Sequence, residues 1–141
     1  MVLYARDVMK AYTRTFSEKM NALEAAKVMM RDGVGFLIIV DGSGKPSGIV
    51  TEWDYLHKVV AEQREASSLK LSDIMTAGVI GVEGKTPTDQ VTEIMFKHSI
   101  RRVPVFEQGK LVGVITSRDI IRIFREYMDN LSRIISRFSS L

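Results

Sequence analysis

The sequence contains no cysteine and only two histidines among its 141 residues. The absence of cysteine excludes thiol nucleophiles, disulfides and cysteine-ligated zinc or iron–sulfur sites. Long apolar runs are also missing. The longest, Phe36–Val40, is far shorter than the ~20 residues that a membrane helix needs, and Met1–Arg6 lacks the apolar core of a signal peptide. We therefore expect a soluble, cytoplasmic protein without a membrane span.

The overall composition is typical of one compact fold, with 45% hydrophobic and 26% charged residues. The net charge is +3, and residues 67–141 carry all of the basic excess. This distribution weakly favours an anionic ligand in the second half of the chain. Five arginines lie between positions 118 and 137, but they are not interleaved with aromatic residues in a recognition motif, so nucleic-acid binding is disfavoured.

The chain repeats itself at an offset of about 66 residues. Asp7–Met9 corresponds to Asp73–Met75, and at an offset of 65 Gly48–Asp54 corresponds to Gly113–Asp119. The matches occur in the same order in both halves, which indicates two copies of one unit. The predicted division is 1–66 for the first repeat with its linker, 67–128 for the second repeat, and 129–141 for a C-terminal extension.

Hydrophobic periodicity predicts the same order of elements in both copies. The first copy should contain a strand at 13–16, a helix at Asn21–Arg31 with Leu23, Ala26 and Met30 on its apolar face, strands at Phe36–Val40 and up to Thr51, and a helix from Glu52. The second should contain a strand at 79–82, a helix at Thr88–Lys97, strands at Arg102–Phe106 and up to Thr116, and a helix from Ser117. The predicted fold class is α+β: two β-α-β-β-α repeats in a sandwich-like arrangement about a pseudo-twofold axis, with a polar linker at Ala61–Leu69 and an extended C-terminal helix.

Three segments carry a resemblance to a known family: Asp73–Thr76, Arg101–Val105 and Gly109–Asp119, with weaker first-half counterparts. Together they resemble a tandem pair of cystathionine-β-synthase (CBS) domains, a Bateman module, over nearly the whole chain. The doubled Gly-x-x-Thr-x-x-Asp pattern is specific as a set. The resemblance implies a regulatory module that binds an adenosine-containing ligand (AMP, ADP, ATP or S-adenosylmethionine) in the clefts between the repeats and signals to a target protein.

The resemblance also assigns binding residues. In such modules the Thr and Asp of each motif contact the ribose, the first strand reads the adenine through its backbone, and basic residues hold phosphate. The matching positions are Arg14, Thr15, Thr51 and Asp54 in the first copy, and Ile80, Gly81, Thr116 and Asp119 in the second, with Arg101, Arg102 and Arg118 as the basic residues. Because the first copy has Gly35, Phe36 and Trp53 at the positions of these arginines, we expect the stronger phosphate-bearing site at Asp119.

Each of these residues also has a structural interpretation. The Thr-x-x-Asp spacing is that of a helix capping box, and the arginines could be solvated surface residues. Trp53 could cover an apolar interface instead of stacking on a base. Five methionines at repeat-matched apolar positions are expected to fill the core: Met9, Met29, Met30, Met75 and Met95.

The C-terminal segment carries an apolar residue every three or four positions, as expected of a helix of up to ~36 Å. The stripe comprises Ile120, Phe124, Met128, Leu131, Ile135 and Phe138. A stripe that outlasts its own domain needs a partner, and the family resemblance suggests a second copy of the chain, so we predict a homodimer. Docking on the target protein and folding back on the core are the alternatives.

Three functions other than ligand sensing remain open at this point. A dimeric scaffold with empty clefts is the main alternative, and a nucleic-acid-binding protein is a weaker one. An enzyme is the weakest, because the sequence contains no recognisable nucleophile–base–acid set, metal-ligand cluster or Walker-type loop. We therefore expect no catalytic residue, metal or cofactor beyond the regulatory adenosine ligand.

Overall fold

The computed structural model describes residues 2–141, which form two compact units. The first-repeat unit is Arg14–Val79, and the second-repeat unit combines the chain up to Thr13 with Ile80–Leu141. The elements are α1 (Ala5–Val8), β1 (Lys10–Ala11), β2 (Thr15–Ser17), α2 (Ala22–Asp32), β3 (Phe36–Val40), β4 (Pro46–Thr51), α3 (Glu52–Tyr55), a π-helical turn (Leu56–Val60), a 3-10 turn (Ala66–Ser68), α4 (Leu71–Ile74), β5 (Thr76–Ala77), β6 (Val82–Glu83), α5 (Thr88–His98), β7 (Arg102–Glu107), β8 (Lys110–Thr116) and α6 (Ser117–Ser139). Each unit holds one four-stranded sheet with helices, which confirms the predicted α+β class.

The first-repeat unit has the sheet order β2-β3-β4-β5. Parallel pairing of β2 with β3 requires a crossover, which α2 provides. This helix begins at Asn21, whose side chain accepts hydrogen bonds from two early backbone amides. Its buried face carries Ala22, Ala25, Val28 and Met29. The predicted face and the predicted core role of Met30 are wrong, since Met30 is 83% exposed; the small alanines turn the neighbouring face towards the sheet.

The second-repeat unit has the sheet order β1-β8-β7-β6, with β6 parallel to β7 across α5. Val91 and Met95 of α5 are buried against the sheet, as predicted. β7 and β8 form the predicted antiparallel hairpin. The helix that follows, α6, has 23 residues and is therefore about 35 Å long, which confirms the long C-terminal helix.

Each sheet is completed by a short edge strand from the other sequence repeat. β1, near the start of the chain, pairs with β8 of the second repeat, whereas β5 pairs with β4 of the first. The compact units therefore do not coincide with the sequence division at residue 66. The end of the predicted linker is also structured, because Leu69 is buried in the first-repeat core and its carbonyl accepts from the amide of Ala22.

Repeat-matched glycines, Gly48 and Gly113, let these edge strands approach. A Cβ on Gly113 would lie 2.5 Å from Sδ of Met9 and 2.8 Å from the carbonyl oxygen of Lys10, and a Cβ on Gly48 would lie 2.8 Å from both Sδ of Met75 and a backbone oxygen. A methyl group at either position must therefore displace backbone.

We expect Gly113→Ala to lower the free energy of unfolding by ~1–3 kcal/mol, the usual cost of overpacking. Gly42→Ala is the matched control, because a Cβ there meets nothing within 4 Å and the effect should stay within ~0.5 kcal/mol. Urea denaturation of both variants measures the difference. Equal midpoints would show that the edge strand yields without cost.

Candidate functional site

The Asp54 cluster lies at the start of α3, where β4 ends. The Asp54 carboxylate is 5% exposed, and its Oδ2 accepts hydrogen bonds from the Thr51 amide at 2.9 Å and, more weakly, from the Thr51 hydroxyl at 3.4 Å. Its Oδ1 accepts from Nζ of Lys58 at 2.9 Å and from the hydroxyl of Thr76 at 3.1 Å. Lys58 also donates to the carbonyl of Ile74 at 2.8 Å. Both oxygens of Asp54 are therefore engaged within the protein.

The Asp119 cluster occupies the equivalent place at the start of α6. Asp119 is 2% exposed, and its Oδ2 accepts from the amide and the hydroxyl of Thr116, both at 2.8 Å. The capping box is thus present in both repeats. The second oxygen, Oδ1, faces Nζ of Lys10 at 3.6 Å and Nη2 of Arg122 at 3.7 Å, both beyond hydrogen-bond distance. Asp119 therefore keeps accepting capacity that Asp54 has already used.

Opposing effects set the pKa of Asp119. Burial raises the pKa. The hydrogen bonds from Thr116 and the nearby charges of Lys10 and Arg122 lower it by more than burial raises it, so the pKa lies below its ordinary value of 3.8. The side chain is therefore a carboxylate at neutral pH, which suits it to accept hydrogen bonds from two hydroxyls at once.

This shift predicts a pH dependence of stability. A carboxyl whose folded pKa is lowered stabilises the fold above its unfolded pKa, and the contribution is lost as the pH falls through the folded pKa, here below about pH 4. We expect Asp119→Asn to lose less free energy of unfolding than wild type between pH 5 and pH 2, measured by urea denaturation. Asp129→Asn, on the exposed part of α6, should follow wild type; identical curves for all three proteins would contradict the assignment.

The second-repeat unit gathers the predicted arginines around Thr116. In the β7–β8 hairpin Arg102 lies opposite Thr116, and the carbonyl of Arg101 accepts from the amide of Ser117 at 2.9 Å. Arg118 follows in the first turn of α6, and its side chain, like that of Arg101, is exposed. Three guanidinium groups therefore originate at one corner of this sheet.

In the first-repeat unit the three positions that match these arginines hold uncharged residues. Phe36 lies opposite Thr51, and the carbonyl of Gly35 accepts from the amide of Glu52. Trp53, at the position of Arg118, is 64% exposed and meets the ring of His57 edge-on at 4.0 Å. The two repeats therefore differ at this corner in structure as well as in sequence.

The first-strand residues differ in their surroundings. Arg14 is exposed, pairs with the carboxylate of Asp32 and lies over the ring of Phe16, whereas Thr15 is exposed on β2. Ile80 is 42% exposed immediately before β6. A Cβ on Gly81 would lie 2.5 Å from the ring of Phe106, so a larger residue there would have to displace that ring. Arg14 thus already has an internal partner, whereas the Ile80–Gly81 backbone runs beside the start of β7.

The sequence analysis did not predict three basic residues that lie at the Asp54 and Asp119 clusters. Lys58 and Arg122 follow their aspartates by four and three residues, a spacing that predicts contact on a helix. Lys10 carries no such signal, because it reaches Asp119 through the long-range pairing of β1 with β8. At the position equivalent to Lys58 the second repeat has Ile123, which explains why the Oδ1 of Asp119 has no comparable donor.

Two kinds of feature are absent from residues 2–141. The described helices include none that is both long and apolar enough to cross a membrane. Within the same part of the chain, no three His, Asp or Glu side chains group together as a metal site would need.

Comparison with known proteins gives a family for both repeats. The profile of the CBS domain matches residues 5–61 and 71–126. An uncharacterized protein of Methanopyrus kandleri is 34% identical over 110 residues, which are 77% of this chain. The chain spans 56% of the length of that relative.

Two solved structures resemble this fold. The CBS domain pair of protein MJ0100, in complex with 5′-methylthioadenosine and S-adenosyl-L-methionine, is 32% identical with a TM-score of 0.80, and the match covers 90% of this chain and 99% of that one. A hexameric CBS-CP12 protein from bloom-forming cyanobacteria is 29% identical with a TM-score of 0.78, covering 86% of this chain and 71% of that one.

Proposed function

Because the chain belongs to the CBS domain family, as a tandem pair, we propose that it is a noncatalytic regulatory module that binds an adenosine-containing ligand at Asp119. The observation that carries this proposal is the buried Asp119 carboxylate, whose Oδ1 lies 3.6 Å or more from its two cationic neighbours. A ribose supplies two adjacent hydroxyl donors for such an acceptor. The complex of the MJ0100 domain pair with two adenosine compounds supports this class of ligand.

S-adenosylmethionine and the adenine nucleotides make different demands on the site. S-adenosylmethionine carries no phosphate, whereas AMP, ADP and ATP need cations for theirs. Arg101, Arg102 and Arg118 originate beside the Thr116 corner, and planar guanidinium forks suit phosphate oxygens. We therefore propose nucleotides as the preferred ligands of this chain, with the phosphate on these arginines and the ribose on Asp119.

The Asp54 cluster is proposed as the weaker site. A ribose there would have to displace Lys58 and Thr76 from Oδ1, and both donate at hydrogen-bond distance. Breaking two such bonds to a buried carboxylate offsets much of what the ribose hydroxyls contribute. We also predict that a ligand bound at one repeat contacts residues of the other.

Ligand binding would act on a target through the module's conformational equilibrium. A ligand that orders one arrangement shifts the population towards it by its differential affinity, and a target protein that reads this arrangement is regulated. We propose a cytoplasmic homodimer as the assembly in which this occurs; the hexameric relative is one case of a CBS protein that assembles from several copies.

A thermal-shift series tests the proposal. AMP, ADP, ATP, S-adenosylmethionine and adenosine, each at millimolar concentration, are added to the purified chain. Binding only to the folded state stabilises it by RT ln(1 + [L]/Kd), ~2.7 kcal/mol at a hundredfold excess over Kd, so the Tm should rise. A rise with nucleotides but not with adenosine assigns the arginines to phosphate. A Tm that does not change with any of the five would favour the scaffold function.

A further inference from the structure

The second half of α6 is an apolar helix face with nothing packed on it. Every described residue from Phe124 to Leu141 is exposed. Along this stretch the apolar residues alternate at intervals of three and four, the seam of a helix that packs lengthwise against another helix. The seam consists of Phe124, Tyr127, Leu131, Ile134 and Phe138, all within α6.

The first half of the same helix borders a groove. A cavity of about 330 Å³ lies between α6 and α5, and its apolar wall includes Ile123, Phe124 and Tyr127 of α6. The opposite wall is formed by the start of α5, where Thr88 and the exposed Asp89 lie. One helix thus carries both a groove near its start and an uncovered apolar tail near its end.

We propose that the tail of α6 occupies this groove in a second copy of the chain, so that two α6 helices pair antiparallel across a twofold axis near Asp129. Only the antiparallel direction brings each tail to the partner's groove; a parallel pair would align tail with tail. The inference extends the homodimer of the proposed function, and it is independent of the ligand.

The seam is self-complementary in this register. With the axis at position 129, Leu131 meets the partner's Tyr127, and Phe124 meets the partner's Ile134. On the flank, Ile121 meets the partner's Ile135, so that this edge is apolar on both helices. Leu131, Ile134 and Ile135 of the tail therefore each find an apolar neighbour.

The positions of the charged residues also favour the antiparallel pair. Arg137 lies beside the partner's Ile123 in this register, and Ile123 lines the same groove as Asp89. An arginine of one copy thus approaches an aspartate of the other. By contrast, the polar residues of the tail beyond Asp129 are Asn130, four serines, Arg133 and Arg137, which gives few cations for an anionic lipid surface.

The available area suits a stable dimer. Phe124, Tyr127 and Phe138 are about two-thirds exposed, and covering them in both copies would remove roughly 600–1,000 Å² from water. Leu131 and Ile135 on the same face are 38% and 55% exposed and add to this. The total reaches the ~1,200 Å² at which stable interfaces begin.

The cysteine-free chain allows a direct test by cross-linking. In the antiparallel register Ile121→Cys and Ile135→Cys, placed together in one chain, lie next to each other across the pair, and oxidation should give a covalent dimer. Either substitution alone should give none, because equivalent residues then lie roughly 20 Å apart along the helices. Both sites are exposed, so folding should be unaffected.

A charge exchange gives a second readout in the full chain. Asp89→Arg and Arg137→Asp should each weaken dimerisation roughly two- to fivefold, and the combined variant should recover it. Arg133→Asp, on the outer face, is the matched control. Failure of the combined variant to recover would contradict the Asp89–Arg137 contact.

These experiments test the antiparallel register and the existence of the dimer separately. Cross-linking in either single variant would mean a parallel pair and would overturn the proposal, as would a dimer whose double-cysteine variant does not cross-link. A wild type that scatters light as a monomer would overturn both the register and the dimer. Sedimentation of that monomer with phosphatidylserine vesicles would then assign the face to lipid.

Discussion

Replacing both Leu131 and Ile135 by aspartate is expected to convert the protein from a dimer to a folded monomer. Both side chains lie on the exposed apolar face of α6, away from either core. Each large apolar side chain buried in an interface contributes ~1.5–3 kcal/mol before the entropy of association is subtracted. A twofold pair repeats the change, so four charges would enter the interface between the two α6 helices.

Light scattering measures the mass, and a melting curve verifies that the chain remains folded. Ser132→Asp with Ser136→Asp is the matched control, because it adds the same charge to the polar face of the same turns and should leave the dimer intact. A Leu131→Asp/Ile135→Asp variant that stays dimeric would place the interface elsewhere on the module.

Replacing Asp119 by asparagine is expected to weaken nucleotide binding about ten- to a hundredfold. The substitution keeps an oxygen for the Thr116 cap but removes the negative charge that the ribose hydroxyls would meet, and hydrogen bonds to charged groups contribute ~1.5–3 kcal/mol. Asp54→Asn should weaken binding less, because Lys58 and Thr76 already occupy Oδ1 of Asp54.

Calorimetric titration of AMP into both variants provides the comparison, with urea denaturation to account for any loss of stability from the capping boxes. Equal losses of affinity in the two variants would contradict the asymmetry. A loss confined to Asp54→Asn would move the site to the first repeat.

Local sequence patterns were sufficient to predict much of the fold. The 3.6-residue period placed α2 and α5 within one residue of their observed ends, and the turn residues placed both hairpins. The apolar face of α2 was wrong by one position at each turn, since Ala22 and Ala25 carry little hydrophobic signal but fit closest to the sheet. The edge strands β1 and β5 were missed, because two residues show no period and depend on a distant partner.

The sequence by itself determined the repeat, the family and the exposed stripe of α6, because each follows from the order and spacing of neighbouring residues. Only the tertiary structure decided how the two aspartates differ. Lys58 comes from the helix of its own repeat, but Thr76 and Lys10 reach Asp54 and Asp119 through edge strands some twenty and more than a hundred residues away. The accepting capacity of a buried carboxylate depends on which donors surround it in space, and chain order does not encode that distance.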